Sequence, residues 1–121
     1  MSYTLEWARD RKLVTARHFG DVTTHEIQAR MSDIEREIDL ADLPYLLVDV
    51  RETTTFPNIA DLYFLGEARA YRPRVSEKTA YLFNERTAEA MDFVVIAASN
   101  RGCCVQGFTE ESTAIDWLFR E

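Results

Sequence analysis

Apolar runs and amphipathic segments alternate along this chain of 121 residues. Residues 3–7 and 13–19 are two short β-prone runs around the charged stretch 9–12, a pattern typical of an antiparallel hairpin that ends at Gly20 and Asp21. Thr23, with Glu26 three residues later, has the spacing of a capping box. The apolar residues that follow recur at helical spacing and predict a first helix with one buried face: Ile27, Met31, Ile34 and Ile38.

Residues 45–50 form a nearly continuous apolar run, which predicts a central strand covered on both faces. The polar residues that follow predict a loop over 51–58, in which Asn58 is suited to cap a helix over 59–71. That helix has more apolar residues than one buried face needs. We therefore expect some of them to be exposed or covered by a partner: Ile59, Leu62, Tyr63, Phe64, Leu65 and Tyr71.

The remaining pattern predicts a strand over 78–83, a helix that begins within 84–87, and a buried strand over 103–108. Residues 93–96 alone would also suit a strand, but Ala88, Met91, Val95 and Ala98 share a helical face. Gly102 is suited to end this helix in a left-handed conformation, and Thr109 to cap a last amphipathic helix.

The predicted order is β-β-α-β-α-β-α-β-α in a single domain over residues 1–121. Helices alternating with strands favour right-handed crossovers and a largely parallel sheet. The fold class is therefore α/β, with a mixed, mainly parallel five-stranded sheet and about four helices.

Composition and charge argue against several classes of function. With 46% hydrophobic and 29% charged residues the chain is typical of a soluble globular domain, and its net charge of -7 argues against a nucleic-acid partner. Arg69, Arg72 and Arg74 form the densest basic group, which the solvated end of a helix explains. No run approaches the ~18 apolar residues of a membrane span, and no signal peptide precedes the first strand. We expect a cytoplasmic protein without an integral membrane segment.

Catalytic, cofactor and metal signatures are absent from the sequence. Cys103 and Cys104 are adjacent, so a strand would point them to opposite faces, and a disulfide between them would need unusual geometry. We expect both thiols to be reduced and to pack in or near the core. His18 and His25 lack a metal-ligand spacing, and no phosphate-binding glycine motif occurs. The sequence predicts no enzyme, no cofactor and no metal site.

The pattern resembles the SpoIIAA-like proteins of the STAS superfamily, which are related in fold to the CRAL-TRIO domain. The resemblance is carried by the opening hairpin that ends in Gly20, by Val22 and Thr23 at the first helix start, and by residues 47–49, 108–111 and 114–118. It covers essentially the whole chain. It implies a small α/β domain with a regulatory or ligand-sensing role.

The related antagonists carry a phosphorylatable serine between aspartate and glycine after the central strand. Residues 49–55 of this chain have no such triplet, although Thr53, Thr54 or Thr55 could take a phosphate near a helix start. The alternative is that these threonines form turn and cap hydrogen bonds.

Asp49 and Arg51 lie at the carboxyl end of the central strand, where open α/β sheets bind ligands. They could form an ion pair or hold a polar ligand. The candidate ligand or partner site comprises this strand end and the following helix: Asp49, Arg51, Thr53, Thr54, Thr55, Asn58, Tyr63 and Phe64.

The leading functional hypothesis is a non-enzymatic regulatory or interaction module with a protein partner, or a homodimer. The alternative is a domain that binds a small hydrophobic ligand or lipid, with the helix from Ile59 to Tyr71 as a cover. An enzyme using Asp49, Arg51 and a threonine hydroxyl is a third hypothesis.

Overall fold

The computed structural model describes residues 3–70, 72 and 74–120. Within them, five strands and four helices follow in the predicted order, so the α/β prediction is confirmed. Their bounds are β1 Tyr3–Ala8, β2 Leu13–Asp21, α1 Thr24–Glu35, β3 Tyr45–Thr55, α2 Ile59–Ala70, β4 Thr79–Leu82, α3 Ala88–Asn100, β5 Val105–Phe108 and α4 Glu111–Leu118.

The sheet has the strand order β1-β2-β3-β4-β5. Strand β1 pairs antiparallel with β2, and every later pairing is parallel. Because the chain steps from β2 to β5 in one direction, right-handed crossovers put α1, α2 and α3 on the same face of the sheet. Helix α4 follows the last strand and packs on the opposite face, against β3, β4 and β5.

The sheet separates two hydrophobic cores, because neighbouring residues of a strand point to opposite faces. On the three-helix face, Val48 packs with Ile34 of α1 and Met91 of α3. On the other face, Leu47 packs with Leu82 of β4 and Leu118 of α4. All six of these side chains are 1% exposed or less. The central strand is thus covered on both faces, as its apolar run predicts.

Local signals at the starts of α1 and α2 and at the end of α3 are confirmed. Thr23 Oγ1 accepts a hydrogen bond from the Glu26 amide at 3.2 Å, and Asn58 Oδ1 accepts one from the Asp61 amide at 2.9 Å. Gly102 follows α3 with a φ of +83°. Residues 93–96 are helical. These short-range patterns therefore fix where α1 and α2 begin and where α3 ends.

Strand β3 is longer than its apolar run, which corrects one prediction. Residues 51–55, predicted as a loop, continue the strand and pair with the end of β2, where Gly20 lies opposite Thr53. The pairing is irregular there, and Gly20 takes a φ of +63°. The polar character of these residues concealed the strand, because its pairing partner is distant in sequence.

Three further predictions, two of them near the carboxyl end, need correction or fall outside the described residues. Strand β5 begins at Val105, so Cys103 and Cys104 precede it; Cys103 is half-buried and Cys104 is exposed. The N-cap of α4 is Glu110 rather than Thr109. The predicted end of the second helix at Tyr71 and Pro73 lies outside the described residues. Within the described part of the chain, no helix is both long and apolar enough to span a membrane.

Candidate functional site

A cavity of about 590 Å³ lies on the three-helix face of the sheet. Helix α2 packs against α1 and α3 and lies over this space. The lining is mostly apolar and comes from the sheet, from α1, α2 and α3, and from the segments before α2, β4 and β5. Its apolar residues include Ile27, Leu46, Val48, Val50, Phe56, Leu62, Met91 and Val94. The cavity is therefore bounded by the sheet below and by three helices above and beside it.

Arg30 of α1 is the charged residue buried in this lining. Arg30 is only 4% exposed, and its Nε has no hydrogen-bond partner within the described chain. None of the ion pairs found among residues 3–70, 72 and 74–120 includes it. Burial lowers the pKa of the guanidinium, although arginine keeps its charge in proteins. Arg30 thus places a guanidinium that has no ion pair among the described residues against a mostly apolar space.

His18 of β2 also lines the cavity and is 2% exposed. Its Nδ1 lies 3.0 Å from Glu26 Oε2, whereas no residue of the described chain binds its Nε2. Burial and the neighbouring charge of Arg30 lower the pKa of His18, against the opposite effect of Glu26. A neutral imidazole that donates from Nδ1 to a carboxylate leaves Nε2 as an acceptor.

Tyr81 adds a hydroxyl to the cavity lining, and Tyr3 packs behind His18, outside the lining. Tyr81 of β4 lines the cavity, and burial raises the pKa of its phenol, which therefore stays a neutral hydrogen-bond donor. The ring of Tyr3 lies 5.6 Å from that of His18, and its hydroxyl donates to the Asp33 carboxylate. Burial and this hydrogen bond raise the pKa of Tyr3 to about 12.

Several arginines lie at the margin of the cavity. Arg69 and Arg72 both bind Glu35. Arg72 Nη2 lies 2.6 Å from Glu35 Oε2. Arg101 of the α3 end binds Glu67 of α2. Arg74 is exposed. Most of these margin charges are therefore compensated by protein carboxylates or open to solvent, unlike the charge of Arg30.

Asp49 and Arg51 lie on the other side of the sheet, in a group that we call the charge cluster: Arg17, Asp49, Arg51 and Glu111. Arg51 donates to Asp49 from Nε and Nη2 at 3.0 and 2.9 Å, so the two residues form an ion pair, which is one of the two alternatives that the sequence left open. Arg17 Nη1 lies 2.7 Å from Asp49 Oδ2 and 3.0 Å from Glu111 Oε1. Burial alone would raise the pKa of Asp49, but hydrogen bonds from the two arginines lower it overall.

The threonines of the predicted site lie in β3 rather than at a helix start. Thr53 is buried and donates to the Val50 carbonyl at 2.8 Å, and Thr54 and Thr55 each donate to Asp21 Oδ1 at 2.9 Å. Their hydroxyls therefore have structural hydrogen bonds, although these lie within the sheet rather than in a turn or helix cap as the alternative interpretation expected. A binding or phosphorylation role for them stays a prediction.

Of the predicted site residues, the structure brings Tyr63 to the cavity lining. Tyr63 is 50% exposed, and its neighbour Phe64, 68% exposed, points away from the sheet. Sequence reasoning missed Arg30 and did not assign His18 to a binding site. A signal existed for Arg30, because it lies three residues after Ile27 and four before Ile34, within the apolar stripe of α1.

The strand order and the three helices on one face define an α/β domain with a SpoIIAA-like fold. The solved structure of an uncharacterized protein from the DUF3478 family with a SpoIIAA-like fold, from Shewanella loihica PV-4, is similar to this chain. The TM-score is 0.63 at 16% sequence identity, over 96% of this chain and 91% of that chain. No protein-family model and no curated protein matches the sequence. The predicted resemblance is thereby confirmed for the fold.

Proposed function

We propose that this domain binds a small, largely apolar molecule in the cavity beneath α2. The main support for this proposal is the size of the cavity. Its volume of about 590 Å³ lies within the ~300–1,000 Å³ typical of ligand pockets. The pocket is partly open to solvent at exposed residues such as Tyr63 and Arg74, which gives a ligand a way in. A mostly apolar pocket of this size that contains a few polar groups is the usual form of a small-molecule site.

The position of α2 supports a role as a cover. Leu62 points inward and is 7% exposed, while Tyr63 contributes to the lining from the same helix. Helix α2 contacts α1 and α3 rather than lying flat on the sheet, so a shift of α2 would open the space below it. This agrees with the ligand-binding alternative drawn from the sequence.

A titration with the uncharged fluorescent probe N-phenyl-1-naphthylamine tests the proposal. The wild type should bind the probe saturably. Ala97→Phe, which places a ring in the lining contributed by α3, should weaken that binding about tenfold, because overpacking typically costs ~1–3 kcal/mol. Ala68→Phe is the matched control, since Ala68 is an exposed residue of α2 outside the lining, and it should leave the affinity unchanged.

Two results would contradict ligand binding in this cavity. One is a wild type without a saturable fluorescence increase. The other is equal affinity of the wild type and Ala97→Phe, which would place the probe elsewhere on the protein.

A regulatory or interaction module, the leading hypothesis from the sequence, is a second candidate. The observation that favours it is the outward face of α2, where Ile59, Tyr63 and Phe64 are 41%, 50% and 68% exposed. Such a cluster of exposed apolar side chains is typical of contact surfaces. A homodimer through this face is the simplest form of the candidate.

Sedimentation velocity over a range of protein concentrations tests self-association through α2. We expect a concentration-dependent dimer that Phe64→Ser weakens. Leu40→Ser is the matched control, because Leu40 is 63% exposed but lies outside α2. A wild type that stays monomeric at every concentration would exclude the homodimer.

A further inference from the structure

We propose that the ligand carries a single carboxylate and that Arg30 binds this group inside the cavity. The inference rests on the proposed function, since it assigns a chemical class to the molecule held beneath α2. Its basis is geometric: Arg30 lines the cavity, is 4% exposed and has a side-chain Nε without a partner in the described chain. The expected ligand is an amphipathic carboxylic acid.

The position of Arg30 on α1 directs its charged side chain into the interior of the protein. It belongs to the same face of α1 as Ile27 and Ile34, both of which are buried, so the helix directs the side chain toward the core. A buried charge is strongly unfavourable unless it is paired and hydrogen-bonded. The guanidinium is planar, and its fork of N–H donors matches the two oxygens of a carboxylate.

The acidic residues of α1 are bound to other groups. Glu26 contacts Nδ1 of His18, Asp33 accepts from Tyr3 and Arg36, and Glu35 binds Arg69 and Arg72. The phenol of Tyr81 is neutral because burial raises its pKa, so it supplies no counter-charge. Within the described residues, Arg30 is thus left without a carboxylate, and a bound ligand can provide it.

The charge balance favours one carboxylate over a phosphate or a dicarboxylate. His18 is the other cation-forming residue buried in the lining, and its lowered pKa keeps it neutral. Arg30 therefore supplies the positive charge in the buried part of the lining, while the other lining arginines lie at the margin. The Glu26 carboxylate, hydrogen-bonded to the neutral His18, already adds one negative charge nearby. A doubly charged group would leave a negative charge uncompensated among apolar side chains. The remaining lining is suited to a hydrocarbon chain or ring.

The test compares two ligands that differ only in their head group. Dodecanoate and dodecanol are titrated against protein loaded with N-phenyl-1-naphthylamine, at pH 7.5 and below the concentration at which either aggregates. Wild type should prefer dodecanoate by about tenfold to hundredfold, as expected for hydrogen bonds to a charged group. Arg30→Met should abolish this preference while still binding the uncharged probe.

Arg74→Met is the matched control, because it removes an equal charge from an exposed residue at the cavity margin. It should keep the preference for dodecanoate. Arg30→Met loses no ion pair among the described residues, so we expect it to fold with a thermal midpoint no lower than the wild type. If Arg30→Met does not fold, Arg30→Lys replaces it in the test. Lysine retains the charge without the planar fork, so Arg30→Lys should keep part of the preference for dodecanoate.

The outcomes separate this inference from the proposed function. Equal affinities of the wild type for the two ligands, or a preference for dodecanoate that Arg30→Met retains, would overturn the role of Arg30 and leave the cavity as an apolar site. A wild type that binds neither the probe nor dodecanoate would overturn both proposals.

Discussion

Arg30 and His18 are polar residues at positions where the fold otherwise places apolar side chains. Both are more than nine-tenths buried, and both leave a side-chain nitrogen without a partner in the described chain. Buried polar groups in native proteins are nearly always hydrogen-bonded, so exceptions call for an explanation. Functional sites commonly tolerate such unfavourable groups because their ligand completes them.

His18 predicts how stability depends on pH. Burial and Arg30 lower its pKa below the ordinary value of 6.5, so at mildly acidic pH the unfolded chain binds more protons than the folded one. The contribution of His18 to the free energy of unfolding should therefore be constant above about pH 6.5. Below that pH the free energy of unfolding should fall, by at most about 1.4 kcal/mol per pH unit. Urea denaturation between pH 7.5 and 5.5, above the range in which most carboxylates titrate, measures this dependence.

Two variants isolate the contribution of His18. His18→Gln should remove most of the pH dependence in this range, because glutamine does not titrate and can still donate to Glu26. His25→Gln should retain it, since His25 is an exposed residue in the first turn of α1. An unchanged pH dependence in His18→Gln would show that another group is responsible.

At the scale of elements, the charge cluster joins three of them. Asp49 of β3 binds Arg17 of β2 and Arg51 of its own strand, and Glu111 at the start of α4 binds Arg17. The cluster thereby ties α4 to the carboxyl ends of β2 and β3. Its carboxylates and guanidiniums bind one another, which favours a structural role over ligand binding.

Asp49→Asn tests that structural role. Removal of the Asp49 charge leaves Glu111 as the carboxylate that Arg17 and Arg51 share, and the free energy of unfolding should fall by about 1–3 kcal/mol. The loss is smaller than for a fully buried pair because the arginine side chains are 28% and 32% exposed. Chemical denaturation measures it, and probe binding should be unchanged because the cavity lies on the opposite face of the sheet.

Asp42→Asn is the matched control for a surface ion pair. Its carboxylate lies 3.4 Å from Lys12 and is 79% exposed, so its loss should change stability by less than about 0.5 kcal/mol. A stable Asp49→Asn variant that no longer binds the probe would instead assign Asp49 to the binding site.

At the scale of the whole molecule, the order of elements could be predicted because its signals are local. The capping residues Thr23 and Asn58 mark helix starts within a few residues, and apolar runs mark the strands. The extension of β3 could not be predicted in this way. Its residues 51–55 are mostly polar, and their strand conformation depends on pairing with the end of β2, more than thirty residues earlier.

The site was less predictable than the fold. Tyr63 could be found because α2 has more apolar residues than it can bury, but the cavity is formed by three helices and the sheet together. Arg30 within an apolar stripe has two explanations in the sequence, since a long cationic side chain can also reach solvent past apolar neighbours. Only the packing of α2 and α3 over α1 distinguishes a buried charge from an exposed one.

The division of the protein by its sheet has a consequence for how ligand preference can change. The core against α4, which includes Leu13, Leu47, Leu82 and Leu118, shares no side chain with the cavity lining. Residues on the three-helix face can therefore be exchanged while this second core continues to hold the strands together. Specificity on such a scaffold can diverge, in nature or in the laboratory, by substitution of a few lining residues without redesign of the fold.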